Sequence, residues 1–444
     1  MDVFLQEVKE RFGGNDDFLM QPDKIYGEPV VLLGFTSLFD LVSTKIALRK
    51  NVDNANPAPK TLADIMALSG EVREIDINEA LTLFVGGKMI IFFENERSCA
   101  IVDPFPIVLN RTVESPTNEN VLQGPMSSFI EDIDTNIGIV RKQITSKHVR
   151  VKSFLAGDDQ QKKLSLIYDD HNSDPELVSK VIDQIEANLH REINNLQNLA
   201  KMMGFSSWSA IPKFNTTELP QEVAIALNKG RVVLFIDRFP FALVLPNLLW
   251  DMFALENDRN YPIPLTIVIR TLRVIGVLTT LLAPGLYVAL VAVNPEVLRI
   301  ELALNIAESR EGVPYPAIVE IILMLVVLEL IIEASTRLPK SIGPTITMVG
   351  GIILGQAVVT ARLVSNLLII VLAATTIANS TVVGFQNSLS IRLFKYLIVI
   401  LSAIYGVLGL LGGLVILSAY LASLTTFGIS YLNFSMKKGE FENG

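Results

Sequence analysis

Hydrophobic and polar positions divide the chain at about residue 263. Before it, short apolar runs alternate with charge; after it, apolar runs of membrane length dominate. Residues 30–34 read as a buried strand, 37–50 as a helix, and 51–60, with Pro57 and Pro59, as a loop. Residues 77–84 read as a helix closed by Gly86-Gly87, because glycine readily takes the left-handed conformation that ends a helix. Two β-rich runs, 88–93 and 99–102, are separated by a polar turn and predict a hairpin. The order then recurs. Residues 164–168 read as a strand. A helix opens at Asp174-Pro175, with Val178, Val181, Ile182, Ile185, Leu189, Ile193 and Leu196 on one face. Residues 221–228 form a helix before Gly230, and 231–236 with 241–245 form a second hairpin. Residues 87–94 lie over 230–237 without a gap. This predicts a duplicated α/β unit, the alternative being chance recurrence of a common motif.

The pattern predicts an α/β N-terminal region of two related subdomains, then an all-α polytopic transmembrane domain. Residues 1–28 read as a mobile arm, 29–110 as the first subdomain, 111–150 as a helical linker and 151–262 as the second subdomain. Residues 263–431 read as the membrane domain, with four to six segments, and 432–444 as a short tail. Segment one covers 265–293 with a kink expected at Pro284-Gly285. Segments two, three and four cover 317–334, 342–360 and 363–379. The last apolar block, 393–424, is too long for one straight span. It predicts either a hairpin turning near residues 409–413 or one span plus an interfacial helix.

Charge orients these segments. Arg259, Arg270 and Arg273 flank segment one on its N-terminal side, Arg337 and Lys340 follow segment two, Arg392 and Lys395 precede the last block, and Lys437 and Lys438 lie near the end of the chain. The 294–316 connection is acidic. Both termini are therefore expected in the cytoplasm and this connection outside. Mean hydropathy of +0.43 over 444 residues fits a membrane protein. The net charge of −9 argues against nucleic acid as a partner. A single cysteine, Cys99, excludes an internal disulfide and suits an intracellular soluble region. The N-terminus has no basic start and apolar core, so no cleavable signal peptide is expected. His148, His171 and His190 show no ligand spacing, and no phosphate-binding loop opens a helix. No enzyme, cofactor or metal site is predicted.

Candidate chemistry lies in the membrane half. Glu329 and Glu333 share a helical face, Glu320 lies roughly opposite Glu329, and Arg337 is placed to pair with Glu333. Gly351 with Gly355, and Gly409 with Gly413, are small-xxx-small patterns that let helices approach closely, within one subunit or between subunits. Thr345, Met348, Val349, Ile352 and Gln356 form one face of segment three. Either they line a narrow, mostly apolar pore in an oligomer, or they pack on segment four.

The chain resembles the A subunit of GerA-type spore germinant receptors of endospore-forming Firmicutes over about residues 29–432. The linker carries Arg111, Glu114, Pro116, Glu119, Gly124, Pro125, Phe129, Glu131, Asn136 and Arg141. The second unit carries Gly230-Arg231, Asp237, Pro240 and Pro246. The membrane half carries Arg270, Arg273, Pro284, Tyr287, residues 309–316, Glu329, Glu333, Arg337-Leu338-Pro339, Val349-Gly350-Gly351, Ile353-Leu354-Gly355-Gln356, Tyr420 and Phe427-Gly428. The resemblance implies the inner membrane of the dormant spore, a transporter-like B subunit and a lipoprotein C subunit as partners, and a homo-oligomer expected to be a pentamer. It also implies a nutrient-gated channel for monovalent cations. The alternatives are a SpoVAF-like paralogue that amplifies germination without sensing nutrient, and a secondary transporter. Two departures stand out: Ile332 replaces an arginine usual in the family, and the tail after Tyr431 is short.

Overall fold

The computed structural model describes residues 3–25, 27–53, 61–96, 98–106, 125, 127–339 and 343–433. The first unit comprises α1 (Val3–Phe12), β1 (Phe18–Ile25), β2 (Glu28–Phe35), α2 (Leu41–Asp53), α3 (Leu62–Ser69), β3 (Glu71–Arg73), α4 (Ile77–Val85), β4 (Met89–Phe93) and β5 (Ser98–Val102). After α5 (Ile133–Gln143), the second unit comprises β6 (Val149–Ala156), β7 (Lys162–Asp169), α6 (Pro175–Glu186), α7 (Leu196–Met202), β8 (Asn215–Thr217), α8 (Pro220–Asn228), β9 (Val232–Ile236) and β10 (Ala242–Leu245). Both sheets are antiparallel. Their orders, β1-β2-β4-β5-β3 and β6-β7-β9-β10-β8, are the same when strands are numbered within each unit. The ungapped match places α4 on α8 and β4 on β9. It also places Gly87 on Gly230, both with positive φ (82° and 79°). Shared strand order favours duplication over chance recurrence.

Two local expectations are corrected, and one stretch without an expectation is filled. Residues 3–25 are no arm: Leu5, Val8 and Phe12 recur at helical spacing and are buried, and Phe12 stacks on Phe18 and meets Phe35 and Phe84 edge-on. The helix expected from 174 to 196 stops at Glu186. Asn195 begins a new one by capping Asn198 N, the local bonding by which asparagine competes with a continuing helix. The stretch after Lys60 holds a helix and an edge strand, with α3 opened by a Thr61–Asp64 capping box.

α5 ties the two units together. Ile133, Ile137, Val140 and Ile144 join the core of the second unit, with Val149, Val151, Ile167 and Val223. From the same helix, Arg141 reaches the first unit. Its Nε and Nη2 each donate to the Asp17 carboxylate at 2.6 Å, and its guanidinium carbon stands 3.8 Å from the Phe35 ring centre. Residues 15–17 also run along the edge of β6: Asp16 N donates to Val151 O, and Val151 N donates to Asn15 Oδ1, both at 3.0 Å.

The rest of the chain is a helical bundle: α9 (Ile263–Val288), α10 (Ile300–Ser309), α11 (Ala317–Arg337), α12 (Gly343–Thr360), α13 (Asn366–Asn379) and α14 (Phe385–Ser423). Two helical stretches, Ile263–Val293 and Phe385–Ser423, are long and apolar enough to cross a membrane, and Met348–Thr360 and Asn366–Asn379 are shorter apolar helices. Pro284 lies inside α9 without ending it, and the helix loosens into a π-helical turn at Ala289–Val293. α14 folds back on itself. The break is at Gly406 (φ 61°, ψ −137°), not at 409–413. An added Cβ at Gly406 would strike Asn294 Oδ1, which accepts from Val407 N at 3.0 Å. Gly409 and Gly413 instead let the second arm lie against Leu401 and Ile398 of the first. A short hairpin, β11 (Thr425–Thr426) with β12 (Ile429–Ser430), then returns to the second unit, where Phe427 and Ile429 join its core.

Candidate functional site

The bundle begins and ends against the second α/β unit. Asp258 accepts from Arg273 Nη1 and Nη2 at 2.5 and 2.9 Å, and Arg270 Nε stands 3.5 Å away, so α9 starts from a fixed, nearly buried carboxylate. Arg231 makes a bidentate pair with Asp251 at 2.8 and 2.9 Å, and Asp251 also accepts from Leu248 N. The Ala210 peptide touches both arms of α14. Its N–H donates to Tyr420 Oη at 3.1 Å, and its carbonyl accepts from Ser390 Oγ at 2.7 Å.

Three charge groups punctuate α11. Farthest from the units, Glu320 is 1% exposed. Its Oε1 accepts from Ser365 N at 2.5 Å and its Oε2 lies 3.5 Å from Arg310 Nε. Ser365 caps α13 and shares a 2.9 Å bond with Tyr287. Thus a carboxylate from α11 stands at the N-terminus of α13, where helix dipole and free N–H groups favour it. Midway, Glu329 accepts from Arg392 Nη1 of α14 at 2.7 Å. Nearest the units, Glu333 pairs with Arg337 on an exposed surface. Arg392 and Lys395, read from sequence as a flank of the last block, are buried between helices instead. Sequence reasoning also missed the Arg310–Glu320–Ser365–Tyr287 cluster. Its signals were Tyr287 and Arg310, which fall inside the motifs quoted at 284–288 and 309–316.

The α12 face is not covered by α13. Met348, Val349 and Ile352 are 61%, 46% and 62% exposed, and Thr345 and Gln356 are exposed beside them. Leu354 and Val358 face inward and pack with Leu325, Leu368 and Leu372. The two glycine patterns part company here. A Cβ at Gly351 or Gly355 meets nothing within 4 Å, whereas Gly409 and Gly413 are packed inside the α14 hairpin. Of the linker residues, Arg111, Glu114, Pro116, Glu119 and Gly124 lie outside the described residues, as does Lys340. Pro125 is exposed, and Phe129, Glu131, Asn136 and Arg141 build the approach to α5. Phe129 N donates to Glu218 O, Arg238 N to Glu131 O, and Asn136 bonds both backbone groups of Ile130.

Two α/β units of the same strand order, followed by a helical bundle with two helices of membrane length, define the class of the fold. The chain matches the model of the Bacillus/Clostridium GerA spore germination protein family over residues 6–440, and it belongs to that family. It is similar to spore germination protein GerLA of Bacillus cereus, 27% identical over 435 residues, covering 96% of this chain and 88% of the relative. It is also similar to spore germination protein A1 of Bacillus subtilis, 32% identical over 331 residues and covering 74% and 69%. YfkQ of Bacillus subtilis, named as an uncharacterized membrane protein, is 27% identical and covers 86% and 74%. Among solved structures, the N-terminal domain of the A subunit of the Bacillus megaterium spore germinant receptor GerK3 is 19% identical, with a TM-score of 0.40. That match covers 55% of this chain and 94% of the domain.

Proposed function

We propose that this chain is the A subunit of a nutrient germinant receptor, and that copies of it assemble around α12 to form a gated passage for monovalent cations. The observation that carries the reading is the uncovered α12 face. Thr345, Met348, Val349, Ile352 and Gln356 point out of the protomer, and a Cβ at Gly351 or Gly355 would meet nothing within 4 Å among the described residues. A mostly apolar face turned toward a common axis makes a constriction that excludes water until it widens. Glycines free of contact in one protomer suit close packing of a second. The α/β units are then cytoplasmic, since α9 leaves from them and α14 returns to them, and the acidic 294–316 connection is outside. A pentamer in the spore inner membrane, with transporter-like B and lipoprotein C subunits, completes the reading.

The test is ion retention. Met348→Ala and Val349→Ala each remove side-chain bulk from the face and are expected to raise resting potassium leak severalfold in reconstituted vesicles. Ile353→Ala, on a neighbouring exposed position, is the control. Normal retention in both variants refutes the placement of this face on the axis.

A further inference from the structure

α11 runs toward the α/β units and the first arm of α14 runs away from them. The two touch: Tyr396 Oη approaches Leu325 O at 3.5 Å, and Glu329 meets Arg392 at 2.7 Å. α11 carries two carboxylates four residues apart, Glu329 and Glu333. The arm carries two cations three residues apart, Arg392 and Lys395. Such spacings place each pair on one helical face. One rung of this ladder is closed and the rest is one turn out of step. Lys395 is 7% exposed, and among the described residues no carboxylate lies within 4 Å of it; its ammonium stands 5.1 Å from the Tyr396 ring centre. Arg392 Nε is buried without an acceptor. Glu333 lies at the exposed end of α11, where among the described residues Arg337 alone pairs with it.

A buried ammonium with no carboxylate in direct contact is costly in a helical bundle. The antiparallel order shows what would relieve it. Lys395 is one turn farther from the α/β units than Arg392, and Glu333 is one turn nearer to them than Glu329. Sliding α11 one turn away from the units brings Glu329 to Lys395 and Glu333 to Arg392 together. We propose that α11 has two registers against α14, the one-rung register seen here and a two-rung register about 5 Å away, one helical pitch. The slide gives up an exposed Glu333–Arg337 pair, which contributes little, and brings a carboxylate into direct contact with a buried cation. Against it stand the packing of Ile321, Met324 and Leu325 and the bond from Glu320 to Ser365 N. These opposing terms make α11 a two-position element, and α12, packed on α11, moves with it.

The distance between α11 and the second unit reports the register directly and does not depend on ion flux, so the test stands apart from the channel reading. Spin labels at Thr336→Cys and Trp208→Cys, in a Cys99→Ser chain diluted with unlabelled copies in nanodiscs, give that distance by pulsed electron resonance. Glu329→Gln removes the closed rung and leaves Arg392 to draw Glu333, so the main distance should lengthen by about 5 Å. Glu329→Gln with Glu333→Gln leaves nothing to draw, and the original distance should return. Equal distances in the single and double variants overturn the proposal, whether both move or neither does. If Glu329→Gln does not fold, Arg337→Ala decides. It frees Glu333 at an exposed site and should raise the longer-distance population about twofold; an unchanged distribution overturns the proposal.

Discussion

At the scale of single residues, Arg141 and Asp17 matter most for the α/β half. Both are nearly buried, and the pair is bidentate and joined by Ser37 Oγ at 2.7 Å from Asp17. Removing one partner leaves the other charge unpaired in a buried interface. Arg141→Ala should therefore destabilise the α/β half by about 3–5 kcal/mol, read as a lowered urea midpoint by circular dichroism. Arg141→Met with Asp17→Leu should recover most of the loss, because the apolar pair leaves no unpaired charge. Recovery would show that the pair fixes the docking and is not the net source of its stability. Arg141 was legible in the sequence as a motif residue. Its partner was not, because Asp17 lay in a stretch read as a mobile arm, and no local pattern joins positions so far apart in the chain.

At the scale of elements, glycine separates contact from exposure. Gly406→Ala puts a Cβ onto Asn294 and forces a positive φ on a non-glycine residue, so the α14 hairpin should fail to close. The expected outcome is loss of folded protein on detergent size-exclusion chromatography. Gly351→Ala meets open space and sits in a helix interior. It should leave the protomer intact or stabilise it by up to about 1 kcal/mol. If α12 meets another copy at this glycine, the same variant should weaken assembly, seen as a shift to smaller species by mass photometry. Periodicity alone read the hairpins and the helix–glycine stops well, since those signals are local. It could not place the fold of the last apolar block, because residues 403–417 hold no charged, amide or proline residue and the turn at Gly406 is met by Asn294, more than a hundred positions earlier.

At the scale of the whole molecule, the α/β half and the bundle share an apolar cluster, in which Ile211 and Met252 meet Val277, Leu281, Ile391 and Ile398, and polar ties join them at Asp258 with Arg273 and at the Ala210 peptide with Ser390 and Tyr420. Tyr420→Phe with Ser390→Ala removes both side-chain bonds to Ala210 while keeping the packing of Phe394 on the ring at 420. Each lost bond is worth about 1 kcal/mol. The double variant should speed amide exchange at Ala210 by roughly tenfold or more with little effect on β9, measured by hydrogen–deuterium exchange mass spectrometry. The duplication was visible from one ungapped block. The identity of strand order was not, because the remaining strands have diverged in spacing: two residues separate β1 from β2, whereas five separate β6 from β7.

The return of Phe427 and Ile429 to the second unit constrains the order of events during synthesis. Phe427 stands 5.3 Å, ring to ring, from Phe205, and Leu249 N donates to Tyr431 O at 2.9 Å. The ribosome makes Phe205 and the strands around it long before these partners exist. At about 5–20 residues per second, the roughly 200 intervening residues take on the order of 10–40 s. Throughout that interval the growing chain carries a partly open apolar core while the helices of the bundle are being made. The second unit closes this part of its core only after the whole bundle has been made, so its completion marks the end of the bundle's synthesis.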